Sequence, residues 1–142
     1  MSKREDVLSA LFAALAGVGG ATVARNLALP TRIPAAGLVI LRVGTPGEPD
    51  VSLSPLTYLF SHRIPLEIDA YESATLTREQ VLDAMTGAIG AAVMANRTLG
   101  GFCDWIEAEA PVTDDIEALG ALPGRFADLA ILAVYATTDP LN

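Results

Sequence analysis

A chain of 142 residues is one domain, long enough to bury about two-thirds of its unfolded surface. Apolar residues make up 51% of it and charged residues 18%, against about 25% charged in ordinary soluble domains, which fits either polar surface replaced by contacts between subunits or a balance shifted by the many alanines and glycines. A net charge of −8 with no run of Lys or Arg excludes a phosphate-gripping nucleic-acid surface, one cysteine excludes an internal disulfide, and a single cysteine with a single histidine excludes a zinc cage of familiar spacing.

The chain opens on Ser2-Lys3-Arg4-Glu5, which reads as a capping box: Ser2 accepts from the backbone of Glu5 and the Glu5 side chain reaches back. Val7, Leu8, Leu11, Phe12 and Leu15 follow at helical spacing, predicting an amphipathic helix over about 3–17. The uncharged run from Val7 to Ala24 resembles a signal peptide or membrane span. Glu5 and Asp6 cancel the basic residues before it, and Gly17, Gly19 and Gly20 end any helix after about three turns, so the expectation is a cytoplasmic chain with no membrane segment. Gly17-Val18-Gly19-Gly20 follows a helix and lacks a Lys-Ser/Thr pair, so it reads as a helix terminator and flexible joint, not a phosphate loop.

The stretch from Asn26 to Pro34 has two prolines and no clear period and reads as a loop. Leu38 to Val43 reads as a short strand. Gly44, Pro46, Gly47, Pro49 and Pro55 mark an irregular loop, and a segment this long (44–56) inside a small domain is expected to be mobile or functional. From Thr57 to Tyr71 the chain alternates. Tyr58, Phe60, His62, Ile64, Leu66, Ile68 and Ala70 share one face; Ser61, Arg63, Glu67 and Asp69 share the other. At about 3.3 Å per residue that strand approaches 45 Å, and Pro65, which cannot donate to a ladder, suggests an edge or a bulge.

Thr77-Arg78-Glu79-Gln80 is a second capping box, followed at helical spacing by Val81, Leu82, Met85, Ile89, Ala92 and Val93. Gly87, Ala88, Gly90, Ala91 and Ala95 leave the back of this helix open to close packing, and Asn96 and Gly100 are its terminators. After the Gly100-Gly101 pair a strand is expected over about 102–110, with Cys103, Trp105, Glu107 and Glu109 on one face. An aromatic beside carboxylates suits a surface that meets another protein. Pro111 to Gly124 is acidic and loop-like, and Phe126 to Thr137 is apolar on both faces, as in a central strand. The expected order is α-β-β-α-β-β: a sheet of about four strands with two helices packed on one face.

No constellation for catalysis emerges. His62 lies on an apolar face with no nucleophile placed beside it and reads as a satisfied core or interface histidine. Cys103 precedes Asp104, whose charge disfavours a thiolate. Glu107 and Glu109, about 7 Å apart on one face, have a spacing that suits paired-carboxylate chemistry but no pocket motif, and read as an acidic interface or solvent face. Arg63 with Glu67 and Asp69 forms a charged strip that can pair across subunits in an oligomer. No catalytic, cofactor-binding or metal-binding residue is assigned.

Several landmarks, taken in order and spacing, resemble the tail terminator (tail completion) family of long-tailed phages and phage-like gene transfer agents. They are the opening Arg4-Glu5-Asp6-Val7-Leu8 helix, Asn26, Pro46-Gly47-Glu48-Pro49 with Ser54-Pro55-Leu56, Asn96-Arg97-Thr98-Leu99-Gly100-Gly101, Cys103-Asp104-Trp105, and the closing Thr138-Asp139-Pro140-Leu141. The resemblance spans nearly the whole chain. It implies an α+β fold with helices on a mostly antiparallel sheet, no enzyme activity and no cofactor. It further implies a hexameric ring at the head-proximal end of the tail tube, ending tube polymerisation and presenting the surface that joins the head. The implied partners are other copies of the chain, the tail tube protein and a head-completion or connector protein, with DNA passing through unbound and no membrane involved. The chain would be cytoplasmic during assembly and then part of the particle's tail. On that expectation Arg42, Glu48, Asp50, Arg63, Glu67, Asp69, Trp105 and Glu107 are the candidate subunit or tube contacts. Two other readings stand beside it. One is a different neck or head–tail connector component; the other is a small enzyme for an acyl or similar substrate, which requires His62, Glu107 or Glu109 to converge in a pocket.

Overall fold

A computed structural model describes residues 2–26, 37–71, 75–116 and 124–141. Among them are two helices, α1 (Lys3–Leu15) and α2 (Arg78–Ala95), and seven strands: β1 (Thr22–Arg25), β2 (Leu38–Leu41), β3 (Asp50–Ser52), β4 (Thr57–Tyr71), β5 (Trp105–Ala108), β6 (Val112–Ile116) and β7 (Gly124–Thr137). The class is α+β, as expected, with more strands than the sequence predicts.

The sheet is built on one long antiparallel pair, β4 and β7, in continuous register from Tyr58↔Thr137 to Tyr71↔Gly124. The free edge of β4 carries β2 at one end and β3 at the other, and the free edge of β7 carries β5 and β6. β1 runs parallel to β2 at the rim; every other pairing is antiparallel. The alternation of β4 sets its sides. Phe60, His62, Ile64, Leu66, Ile68 and Ala70 are buried, and their register partners Tyr135, Ala133, Ile131, Leu129 and Ala127 lie buried beside them. Onto this face pack Val7, Leu8, Leu11 and Leu15 of α1 and Leu82, Met85, Ile89 and Val93 of α2, in one continuous core. Each such side chain contributes about 1.5–3 kcal/mol on burial, so the stripe on each helix is enough to hold it against the sheet.

Local signals explain the helix ends. Thr77 and Gln80 make both bonds of their capping box, at 3.3 and 3.0 Å. At α1 only half of the expected box forms: Ser2 accepts from the Glu5 backbone at 3.1 Å, but the Glu5 carboxylate turns to Arg25 of β1, at 2.7 and 3.2 Å. The fork of Arg25 is the stronger partner because charge-assisted, bidentate pairing outweighs a single bond to a neutral backbone N–H. α1 stops at Leu15, two residues short of the expected end, because Gly17 turns left-handed at φ 72°.

Other expectations are corrected. β3 and β6 fall where loops were expected, and β1 follows the glycine joint where no element was expected; the 27–34 part of the Asn26–Pro34 loop lies outside the described residues. The strand expected over 102–110 is shorter, and Cys103 precedes it and sits in the core, so it does not share a face with Trp105. The cause is a tight turn: Thr98 carbonyl accepts from Gly101 and Cys103, and Gly100 and Gly101 have φ of 70° and 97°, breaking the alternation before β5 begins. Pro65 is in a central strand, not an edge. It faces the gap between β2 and β3, just where β2 ends, so no donor is needed there; Arg42 N–H donates to its carbonyl at 3.0 Å. Gly44, at φ 67°, lies so close to the Arg63 carbonyl and the Pro65 ring that a side chain would collide with both.

Candidate functional site

The sheet face opposite the helices gathers most of the candidate residues. Because β4, β7 and β5 pair in register, Arg63, Leu132 and Glu107 form one row across the sheet, and Ser61, Val134 and Trp105 form the next. Further along β4, Glu67 stands opposite Asp128 and beside Ile40 of β2. Arg42, Arg63, Glu67, Asp69, Trp105 and Glu107 therefore share this face. Glu48 and Asp50 do not join the cluster: Glu48 lies in the loop before β3 and Asp50 begins β3, both exposed.

Two ion pairs within the chain lie on this face. Arg42 holds Glu67 Oε2 through Nε at 2.8 Å and Nη2 at 2.7 Å. Arg63 Nε donates to Glu109 at 3.0 Å, within the chain. Both groups of that second pair are largely in water, which limits its contribution to stability to under about 1 kcal/mol. Asp69 is buried, and burial, then Glu67, then Asp128, raises its pKa above the usual carboxylate value. Asp128 is raised too, by burial and by Glu67 across the ladder. Glu109 and Asp128 complete the electrostatics of this face; Glu109 was singled out with Glu107 as an acidic face but not as a subunit contact, and Asp128 was not singled out at all. Glu109 follows the period of Trp105 and Glu107, but its role depends on a strand register that one strand's sequence does not show. Trp105 is 38% exposed, an aromatic partly open to solvent on a sheet face that carries no helix among the described residues.

His62 is wholly buried on the other side of the sheet. Its Nε2–H donates to the Val43 carbonyl at 2.6 Å, which leaves Nδ1 to accept from the Tyr135 hydroxyl at 3.0 Å. Burial lowers its pKa and keeps the ring neutral. It is the satisfied core histidine expected from the sequence. It is separated by the sheet from Glu107 and Glu109, so the convergence that the small-enzyme reading requires does not occur. Cys103 is buried, and burial followed by the charge of Asp104 pushes its thiol up to about 11, the opposite of an activated nucleophile.

Among the described residues, no group of three His, Cys, Asp or Glu side chains is placed to hold a metal, and no helix is long and apolar enough to cross a membrane. A cleft of about 340 Å³ opens between α2 and the start of β6, lined by Glu79, Leu82, Asp83, Thr86, Pro111 and Thr113; none of His62, Glu107 and Glu109 lines it.

No protein-family model matches the chain, and no curated protein matches it. Among solved structures it is similar to the sheath/tube terminator of an extracellular contractile injection system (PVC), determined by cryo-electron microscopy in the extended state. The two are 16% identical with a TM-score of 0.42, over 95% of this chain and 57% of the other.

Proposed function

We propose that this chain is a structural tail protein that forms a ring at the head-proximal end of a tail tube, stops the tube from growing and presents the surface to which the head joins. The observation that carries the reading is the ordered set of tail-terminator landmarks along the sequence, from the Arg4–Leu8 helix to Thr138-Asp139-Pro140-Leu141. Composition supports it: low charge and a mean hydropathy of +0.42 fit a subunit that covers part of its surface with copies of itself. The ring is hexameric in this reading. Six copies carry roughly fifty negative charges, so the channel repels DNA in passage instead of trapping it.

In this reading the open sheet face, with Arg42, Arg63, Glu67, Asp69, Trp105 and Glu107, meets a neighbouring protein. Glu48, in the loop before β3, and Asp50, at its start, make further contacts to a neighbouring copy. The partners are further copies, the tube protein and a head-completion or connector protein, and the chain's final place is in the tail of the assembled particle.

Negative-stain electron microscopy of particles from a producer that lacks the gene tests this. Overlong tubes without heads are expected. Tails of normal length without heads would assign the chain to a connector role, and intact particles would overturn the virion reading.

A further inference from the structure

Two exposed stretches of this acidic chain carry no charge. The first is an arm made of β3, the turn after it and the start of β4. From Val51 to Leu59 it has no Asp, Glu, Lys, Arg or His, and Val51, Leu53 and Leu56 are 55%, 71% and 46% exposed. The second is the outward face of α2, where no residue from Ala84 to Ala95 is charged; Ala84, Gly87, Ala91, Met94 and Ala95 are all exposed, and Phe102 is exposed just beyond the helix. Three turns of helix with no charge on the outward face are normally covered there. Gly87 and Gly90 sharpen the point. Glycine weakens a helix interior, yet a Cβ at either position would meet nothing within 4 Å, so nothing within the chain requires the missing side chain.

We infer that the arm of one copy lies across the outward face of α2 of the next, with Leu53 and Leu56 seated over Gly87, Gly90 and Ala91. The occupant is a second copy: the ring reading requires copies to touch, and between chains of charge −8 contact is least opposed where both sides are uncharged. Shape agrees: large side chains on a narrow arm meet a helix face of small ones. Arm and helix are different patches, so the contact is heterologous. Each copy gives one arm and receives one, and the chain of contacts closes into a ring where its rotation permits. This rests on the ring reading above and names the surface that would close it.

The test uses the full chain in cells that make the particle, with Leu53→Cys and Ala91→Cys separately and together, under mild oxidation. Cys103 is buried and its thiol is pushed up to about 11, so it stays silent. The double variant is expected to give a ladder of covalent oligomers on a non-reducing gel, while each single variant stays monomeric. Gly87→Leu is expected to keep the melting temperature of the chain within a few degrees and abolish assembly. Absence of the ladder, or cross-linking by Ala91→Cys alone, overturns the contact, as does normal assembly of Gly87→Leu. The ring reading fails separately, when the producer lacking the gene makes intact particles.

Discussion

His62 shows how much one side chain can carry. It ties the central strand to the chain leaving β2, through Val43, and to β7, through Tyr135. Burial depresses its pKa below the ordinary 6.5. The unfolded chain therefore binds the extra proton first, and stability is lost as pH falls from above about 6.5 towards the depressed folded value. Urea unfolding is expected to give a lower midpoint at pH 5.5 than at pH 8. His62→Phe is expected to reduce that difference, while costing about 1–3 kcal/mol at pH 8 by leaving the Tyr135 hydroxyl and the Val43 carbonyl without their partner. A midpoint difference unchanged in the variant would assign the pH dependence to other groups. Asp69 and Asp128 work in the opposite sense. Their raised pKa values mean that ionisation opposes folding, so the stability they leave intact at low pH is lost as pH rises through their unfolded value towards the raised one.

At the scale of elements, α2 is a good helix start joined to a weak interior. Its capping box is complete, whereas Gly87 and Gly90 each reduce its stability by about 1 kcal/mol relative to alanine. Gly87→Ala and Gly90→Ala are each expected to raise the unfolding free energy of the isolated chain by about 0.4–1 kcal/mol, read from the urea midpoint, because the added methyl meets open space. Destabilisation by either would mean that the helix backbone needs the glycine. The same element marks what the sequence makes legible. α2 and β4 could be read because a period of 3.6 or 2 was sustained over 18 and 15 residues and bounded by recognisable caps or turns. β1, β3 and β6 span only four, three and five residues; all of β3 and all of β1 is at least partly exposed, so they are strands by virtue of their neighbours' ladders, not their own pattern. The candidate face was half legible for the same reason. Period two put Trp105 with Glu107 and Arg63 with Glu67, but pairing Arg63 with Glu109 needed the register of three strands, and placing Cys103 needed the geometry of a glycine turn.

For the whole molecule, the deciding balance is between apolar surface and uniform negative charge. Apolar patches on the arm and α2 favour association, and the charge of −8 per copy opposes it. Raising salt from about 50 to 300 mM shortens the range over which exposed charges repel, so association of copies is expected to strengthen, by roughly tenfold or less, when followed by sedimentation. A weakening with salt would instead mean that ion pairs across the interface, such as ones made by Arg63 and Glu107, dominate the contact.

The β4–β7 pair also has a mechanical consequence. Its fourteen register positions run without interruption from one end of the sheet to the other. A force that draws the strands past each other along their length is carried by all the ladder bonds at once, in shear, and none can break ahead of the rest. A force applied sideways at one end unzips the same bonds one after another. The fold is thus stiff along one direction and yielding along another, and its load-bearing axis is the line of these two strands.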